Sequence, residues 1–151
     1  MNAPFHFSVL FNRLVLVGAT ILFSLIGVRY AFDPIKAVAP HQIALGSNEA
    51  VTIMRVSGGV FLGIAGVLLA CVISQRRLLT GIGVLALVST AVLGARLFGL
   101  VVDGPAPFTL QVLKPEIALV VLSALGFLFE TRRLNGSPRS APSAMRLPAT
   151  D

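Results

Sequence analysis

The chain has no tryptophan, a single cysteine, a single tyrosine, two histidines and only six acidic residues. The lone Cys71 excludes an internal disulfide. His6 precedes the first apolar run and His41 lies in a loop, so no His/Cys/Asp grouping is spaced as metal ligands are, and no metal or cofactor is expected. Ser89 and Ser123 lack a general base nearby in the sequence, which leaves a nucleophilic site without its partner and gives no catalytic constellation. Charge is scarce as well. Only 12% of the 151 residues are charged, whereas a soluble domain carries about a quarter, which argues against a soluble core.

What is abundant is hydrocarbon. Hydrophobic residues make up 56% of the chain and the mean hydropathy is +0.91. The apolar residues fall into four runs, Phe11–Phe32, Val51–Ile73, Leu78–Val102 and Thr109–Phe129. Each approaches or exceeds the ~20 residues that a helix needs to cross a bilayer. In lipid the backbone must satisfy its own hydrogen bonds, and runs this long and continuous do so as helices rather than barrel strands. The expected fold is therefore all-α: a polytopic membrane protein with a four-helix antiparallel bundle. It forms one domain over residues 1–133, with spans near 11–32, 51–73, 78–102 and 109–130. The composition then shifts to "NGSPRSAPS", which cannot bury a core, so residues 134–151 are expected to be a disordered tail. The small residues Ala37-Val38-Ala39 resemble a signal cleavage site, but Pro40 follows them directly, and the first span is expected to stay uncleaved.

Net charge is +6, and its placement points to topology rather than nucleic acid. With four crossings, Arg13, Arg76, Arg77, Arg132, Arg133, Arg139 and Arg146 all lie on one side. The other side holds Arg29, Lys36, Arg55, Arg96 and Lys114, offset by Asp33, Glu49, Asp103 and Glu116. By the positive-inside rule both termini are expected in the cytoplasm. The connections read clearly. Asp33-Pro34 stops the first helix, and Ser47 or Asn48 caps the second with Glu49 in its first turn. Ser74–Arg77 is short enough to force antiparallel neighbours, and Asp103–Pro107 is a turn.

Each span carries a stripe of small or polar residues at helical spacing, in steps of three, four or seven, which keeps them on one helix face. They are Arg13, Thr20, Ser24 and Gly27 in the first span, and Arg55, Gly59, Gly63, Gly66 and Ala70 in the second. The third has Ser89, Arg96, Gly99 and Asp103, and the fourth has Glu116, Ser123 and Glu130. Small residues let helices approach closely in lipid, so Gly59, Gly63, Gly66 and Gly99 are expected at helix contacts, with a dimer seam as a sharper alternative for the second span. Cys71 reads as apolar filler and Glu130 as a surface residue paired with the arginines beside it.

Depth singles out a charged layer. Arg96 lies seven residues below Asp103, about 10 Å into the membrane, and Arg55 lies at nearly that depth counted from Glu49. Glu116 reaches the same level if the fourth helix starts near Thr109 and absorbs Pro115. An unpaired arginine is costly there, so Glu116 should pair with Arg96 or Arg55, with Asp103 above. Pro115 also frees the Gln111 carbonyl, which either arginine could serve. Two readings stand side by side: an ion-pair clamp that fixes helix order, or a pocket for a lipid headgroup or small anion.

The segments "RVSGGVFLGIAGVLLA" from Arg55, "GARLFGLVVDG" from Gly94 and "KPEIALVVLSAL" from Lys114 resemble a group of small bacterial membrane proteins, the domain of unknown function 4345. A looser similarity is to the DoxX group. The resemblance implies a four-helix protein of the bacterial inner membrane without an assigned activity, and for some relatives a label linking them to phage infection. The expected function is non-enzymatic, a binding, accessory or receptor-like role. Its partners would be membrane lipids, and a second copy or another membrane protein. A small oligomeric proton-coupled transporter is the alternative.

Overall fold

The computed structural model describes residues 3–41 and 43–135. Five α-helices follow one another: α1 (Ala3–Phe32), α2 (Pro34–Val38), α3 (Asn48–Ile73), α4 (Leu78–Val102) and α5 (Pro107–Asn135). Single 3-10 turns cover Ala39–His41 and Gln75–Arg77, and no strand occurs among the described residues. Four helices, all but the short α2, are long and apolar enough to cross a membrane. Large apolar side chains such as Leu14, Ile53, Leu87 and Val101 point outward, as a lipid-facing surface requires. The expected all-α four-helix architecture is therefore the one found.

The boundaries have local causes. Asp33 closes α1 by donating its amide to the Arg29 carbonyl at 3.0 Å, and Pro34 opens α2 at a position where no amide donor is needed. Outside the spans, the Asp33 carboxyl accepts from Lys36, which holds its pKa below the ordinary carboxylate value. Ser47 is extended and its hydroxyl accepts the Ala50 amide at 3.1 Å, capping α3 as expected. Gly104 turns between α4 and α5 at a φ of +86°, a conformation that suits glycine. Two boundaries differ from expectation. The helix of the first span begins at Ala3 rather than near residue 11, and α5 runs on through Leu134 and Asn135. The rest of the expected tail, residues 136–151, lies outside the described residues.

The molecule has two ends. The turn end holds the α1–α3 connection and the α4–α5 turn; the link end holds the start of α1, the α3–α4 link and the end of α5. Helices pack most extensively as two pairs, α1 with α3 and α4 with α5, and α1 then joins both α4 and α5. The buried core is Val9, Leu16, Ala19 and Phe23 from α1, Ala65 and Leu68 from α3, and Leu78, Ile82 and Leu85 from α4.

The α1–α3 contact corrects the expected packing glycines. Gly59, Gly63 and Gly66 have open space beside them and form no helix contact within the bundle. The close approach is made one position earlier, by Gly58 against Gly27. A Cβ on Gly58 would lie 2.5 Å from the Ala31 nitrogen and 2.7 Å from the Gly27 oxygen. The reason is rotational: Gly58, Ala65, Leu68 and Cys71 share the buried face of α3, and the Gly59 stripe is turned about 100° from it. Gly99 also contacts no other helix, since the nearest group to a Cβ there is its own helix's Asp103 carboxylate at 3.6 Å.

In the α4–α5 pair the stripes do meet. Arg96 faces Glu116, Ser89 faces Ser123 with hydroxyl oxygens 3.4 Å apart, and Ile82 packs on Gly126. The sevenfold steps 82–89–96 on α4 and 116–123 on α5 thus align as antiparallel rungs, which explains why both helices are marked at the same period.

Candidate functional site

At the turn end the Arg96 guanidinium donates from Nε to Glu116 Oε2 at 2.6 Å. Both side chains are largely shielded, at 24% and 19% exposure, so the pair is stronger than a surface ion pair. The guanidinium also stands 5.8 Å from the centroid of Phe108, within cation–π range. The same ring also meets His41, whose imidazole centroid lies 4.1 Å away on the 3-10 turn of the α1–α3 connection. Phe108 therefore joins the connection to the α4–α5 turn directly above the ion pair.

Arg55 takes a different task from the one expected. Its Nη1 donates to the Ala31 carbonyl at 2.6 Å and reaches the Phe32 carbonyl at 3.5 Å. These are carbonyls at the C-terminus of α1, which have no intrahelical donor and carry partial negative charge. Glu116 is thus the partner of Arg96 and not of Arg55. Neither arginine serves the Gln111 carbonyl. Asp103 is exposed and makes no ion pair among the described residues, so it does not cap the layer. Arg55, Arg96 and Glu116 do share the turn end, but as two separate ties: α3 to α1, and α4 to α5.

A second polar cluster occupies the link end, and there the expectation for Glu130 is overturned. Glu130 is wholly buried rather than at the surface. Its Oε2 accepts from Ser8 Oγ at 3.2 Å and from Asn12 Nδ2 at 3.1 Å, while its Oε1 takes a hydrogen-bonded ion pair from Arg133. Ser8 and Asn12 are buried too. Burial of a carboxylate in lipid requires such a complete set of donors. The Asn12 side-chain amide oxygen, Oδ1, has no hydrogen-bond partner among the described residues and lies against Gly126, where a Cβ would come within 2.5 Å of it. Phe7 and Phe11 of α1 cover the cluster edge-on against Phe129. The sequence carried a signal for this site that points to α5 only: Glu130 follows Ser123 and Glu116 at the same sevenfold step. Ser8 lies before the expected start of the first span at Phe11, and Asn12 lies inside that span but off its stripe of Arg13, Thr20, Ser24 and Gly27, so neither stands out in the sequence.

Among the described residues no three His, Cys, Asp or Glu side chains converge as metal ligands. Cys71 is buried where α3 meets Gly81 of α4, as a small packing residue.

Four helices long and apolar enough to cross a membrane, tied at the turn end by the Arg96–Glu116 ion pair and at the link end by the Ser8 and Asn12 hydrogen bonds to Glu130, define a multi-pass helical membrane protein. Comparison with known families adds the particular group. The chain belongs to the family described as a domain of unknown function (DUF4345), which it matches over residues 11–127. That span includes Asn12, Arg55, Arg96 and Glu116 and ends just before Glu130. The looser likeness to the DoxX group is not shown. No curated protein and no solved structure matches the chain.

Proposed function

We propose that this is a non-enzymatic binding or accessory protein of the bacterial inner membrane, with both termini in the cytoplasm and the turn end facing the periplasm. In this reading the turn-end layer works first as a clamp and then as a seat for a lipid headgroup or small anion. The observation that carries it is the way Arg96 is held. Glu116 engages Nε, and Phe108 supports the guanidinium face, so neither terminal nitrogen makes a hydrogen bond among the described residues. A guanidinium oriented in this way presents a planar fork that suits phosphate or carboxylate oxygens. The orientation rests on cation placement: Arg13, Arg76, Arg77, Arg132 and Arg133 gather at the link end, with Arg139 and Arg146 following them in the sequence, against Arg29, Lys36, Arg55, Arg96 and Lys114 on the turn side. A proton-coupled transporter is less well supported, because Glu116 is already engaged by Arg96.

Two measurements test this. In a double-mutant cycle of Arg96→Ala and Glu116→Ala, thermal unfolding in mild detergent should give a coupling of about 1–2 kcal/mol. Additive losses would remove the clamp. Native mass spectrometry of the full chain with added headgroup-bearing lipid or inorganic phosphate should show an adduct that Arg96→Ala loses. An adduct equally strong in Arg96→Ala would place the binding elsewhere and refute the seat.

A further inference from the structure

The geometry points to a second, independent binding site at the link end: a seat for the phosphate of an anionic membrane phospholipid, built from Arg13 of α1 with Arg76 and Arg77 of the α3–α4 link.

Arg13 is partly buried and makes no hydrogen bond or ion pair among the described residues, and its Nε is buried without an acceptor. A guanidinium in an apolar helix is retained at a cost unless an anionic oxygen meets it. Among the described residues the link end has no free acidic group to supply one. Its sole acid among the described residues is Glu130, which is wholly buried and already taken by Ser8, Asn12 and Arg133. Arg13, Arg76, Arg77 and Arg132 therefore stand there with no acidic partner among the described residues.

Position brings three of these together. Gly81 of α4 is pressed between α3 and α1: a Cβ there would lie 2.6 Å from the Cys71 Cβ and 3.1 Å from Leu16 Cδ1. From this meeting point Arg13 is three residues nearer the link end along α1, about 4.5 Å, and Arg77 is four residues nearer along the other helix and its link, about 6 Å. Both reach the same level, at the corner shared by α1, α3 and α4. Arg76 and Arg77 are exposed on the 3-10 turn that closes that corner. Clustered guanidiniums are the usual protein answer to a phosphate, which accepts them bidentately.

The flanks of the corner say that this phosphate belongs to a lipid. Leu14 and Val17, beside Arg13, and Ile73, at the end of α3, all face outward, with Ile73 77% exposed. A headgroup held by the arginines would lay its acyl chains along these side chains, whereas free phosphate would gain nothing from them.

The test uses the full chain in mild detergent with phosphatidylglycerol or phosphatidylcholine of the same acyl chains. Native mass spectrometry should show a phosphatidylglycerol adduct that survives activation strong enough to strip phosphatidylcholine. Arg13→Gln should weaken that adduct about tenfold, as expected for losing one charge-assisted contact. The double variant Arg76→Gln/Arg77→Gln alters only exposed side chains and should weaken it comparably, which keeps the test valid if Arg13→Gln folds poorly. Arg96→Ala should leave it intact, which separates this site from the turn-end seat. Amide exchange over residues 74–77 should slow with phosphatidylglycerol and not with phosphatidylcholine. Equal retention of the two lipids, or retention unchanged in both arginine variants, overturns the site. Protection of residues 74–77 by inorganic phosphate alone, to the same extent, overturns its assignment to lipid.

Discussion

Gly58→Ala should destabilise the bundle by about 2–3 kcal/mol, a large loss for the addition of one methyl group. The added carbon would fall 2.5 Å from the Ala31 nitrogen, 2.7 Å from the Gly27 oxygen and 2.9 Å from the Tyr30 carbonyl carbon. All three are backbone atoms, so no rotamer change relieves the overlap and α1 must move away from α3. That movement has a second effect. Arg55 lies one turn from Gly58 on the same face and holds the Ala31 carbonyl at 2.6 Å, a bond that stretches as the helices part. Gly59→Ala and Gly63→Ala supply the contrast, since nothing lies within 4 Å of a Cβ at either position. Both should leave the unfolding temperature unchanged or slightly higher, because alanine favours the helix over glycine. A Gly58→Ala protein that melts with Gly59→Ala would show that the two helices are not in this register.

Glu130→Ala should be costlier still, about 3–5 kcal/mol, because it breaks a buried ion pair and takes the acceptor from two further buried donors. Three donors lose their acceptor at once: Arg133, Ser8 and Asn12. Glu130→Gln keeps the shape and an acceptor oxygen but not the charge, and should fall between alanine and wild type. Adding Ser8→Ala to Glu130→Ala should cost little further, because the Ser8 hydroxyl has already lost that acceptor. The measurement is unfolding in detergent under conditions where the wild type refolds. Full stability in Glu130→Ala would mean that the carboxylate contributes nothing to closing the bundle.

These two residues also mark how far the sequence could be read. Run length and the absence of charge were enough for four crossing helices, their order and the turns at Asp33-Pro34 and Asp103–Pro107, because those follow from the chemistry of the bilayer and of single residues. The Arg96–Glu116 pair was legible for a similar reason: depth can be counted along each helix, and an intramembrane arginine at that depth needs an acid. Rotation was not legible. Gly58 and Gly59 are adjacent, both small and both followed by glycine or alanine at helical spacing, so nothing within α3 decides which of them meets α1. The choice is made by Gly27 and by the Arg55 contact with the end of α1, which are tertiary facts. Glu130 was misread for a related reason. Its neighbours Arg132 and Arg133 suggest a surface in one dimension, whereas burial is set by Ser8 and Asn12, more than a hundred residues earlier.

That separation bears on how the protein is made. Asn12 and Ser8 enter the bilayer on the first helix, yet their acceptor is on the last one, 118 and 122 residues later. During synthesis α1 can reach α3 through glycine contacts alone, and α4 can reach α5 through its own rungs, but α1 carries two unsatisfied polar side chains until α5 arrives. Release of the completed fifth helix is therefore the step that locks the assembly, and a nascent chain arrested before residue 130 would be a pair of greasy hairpins with an open polar seam, a ready target for membrane proteases.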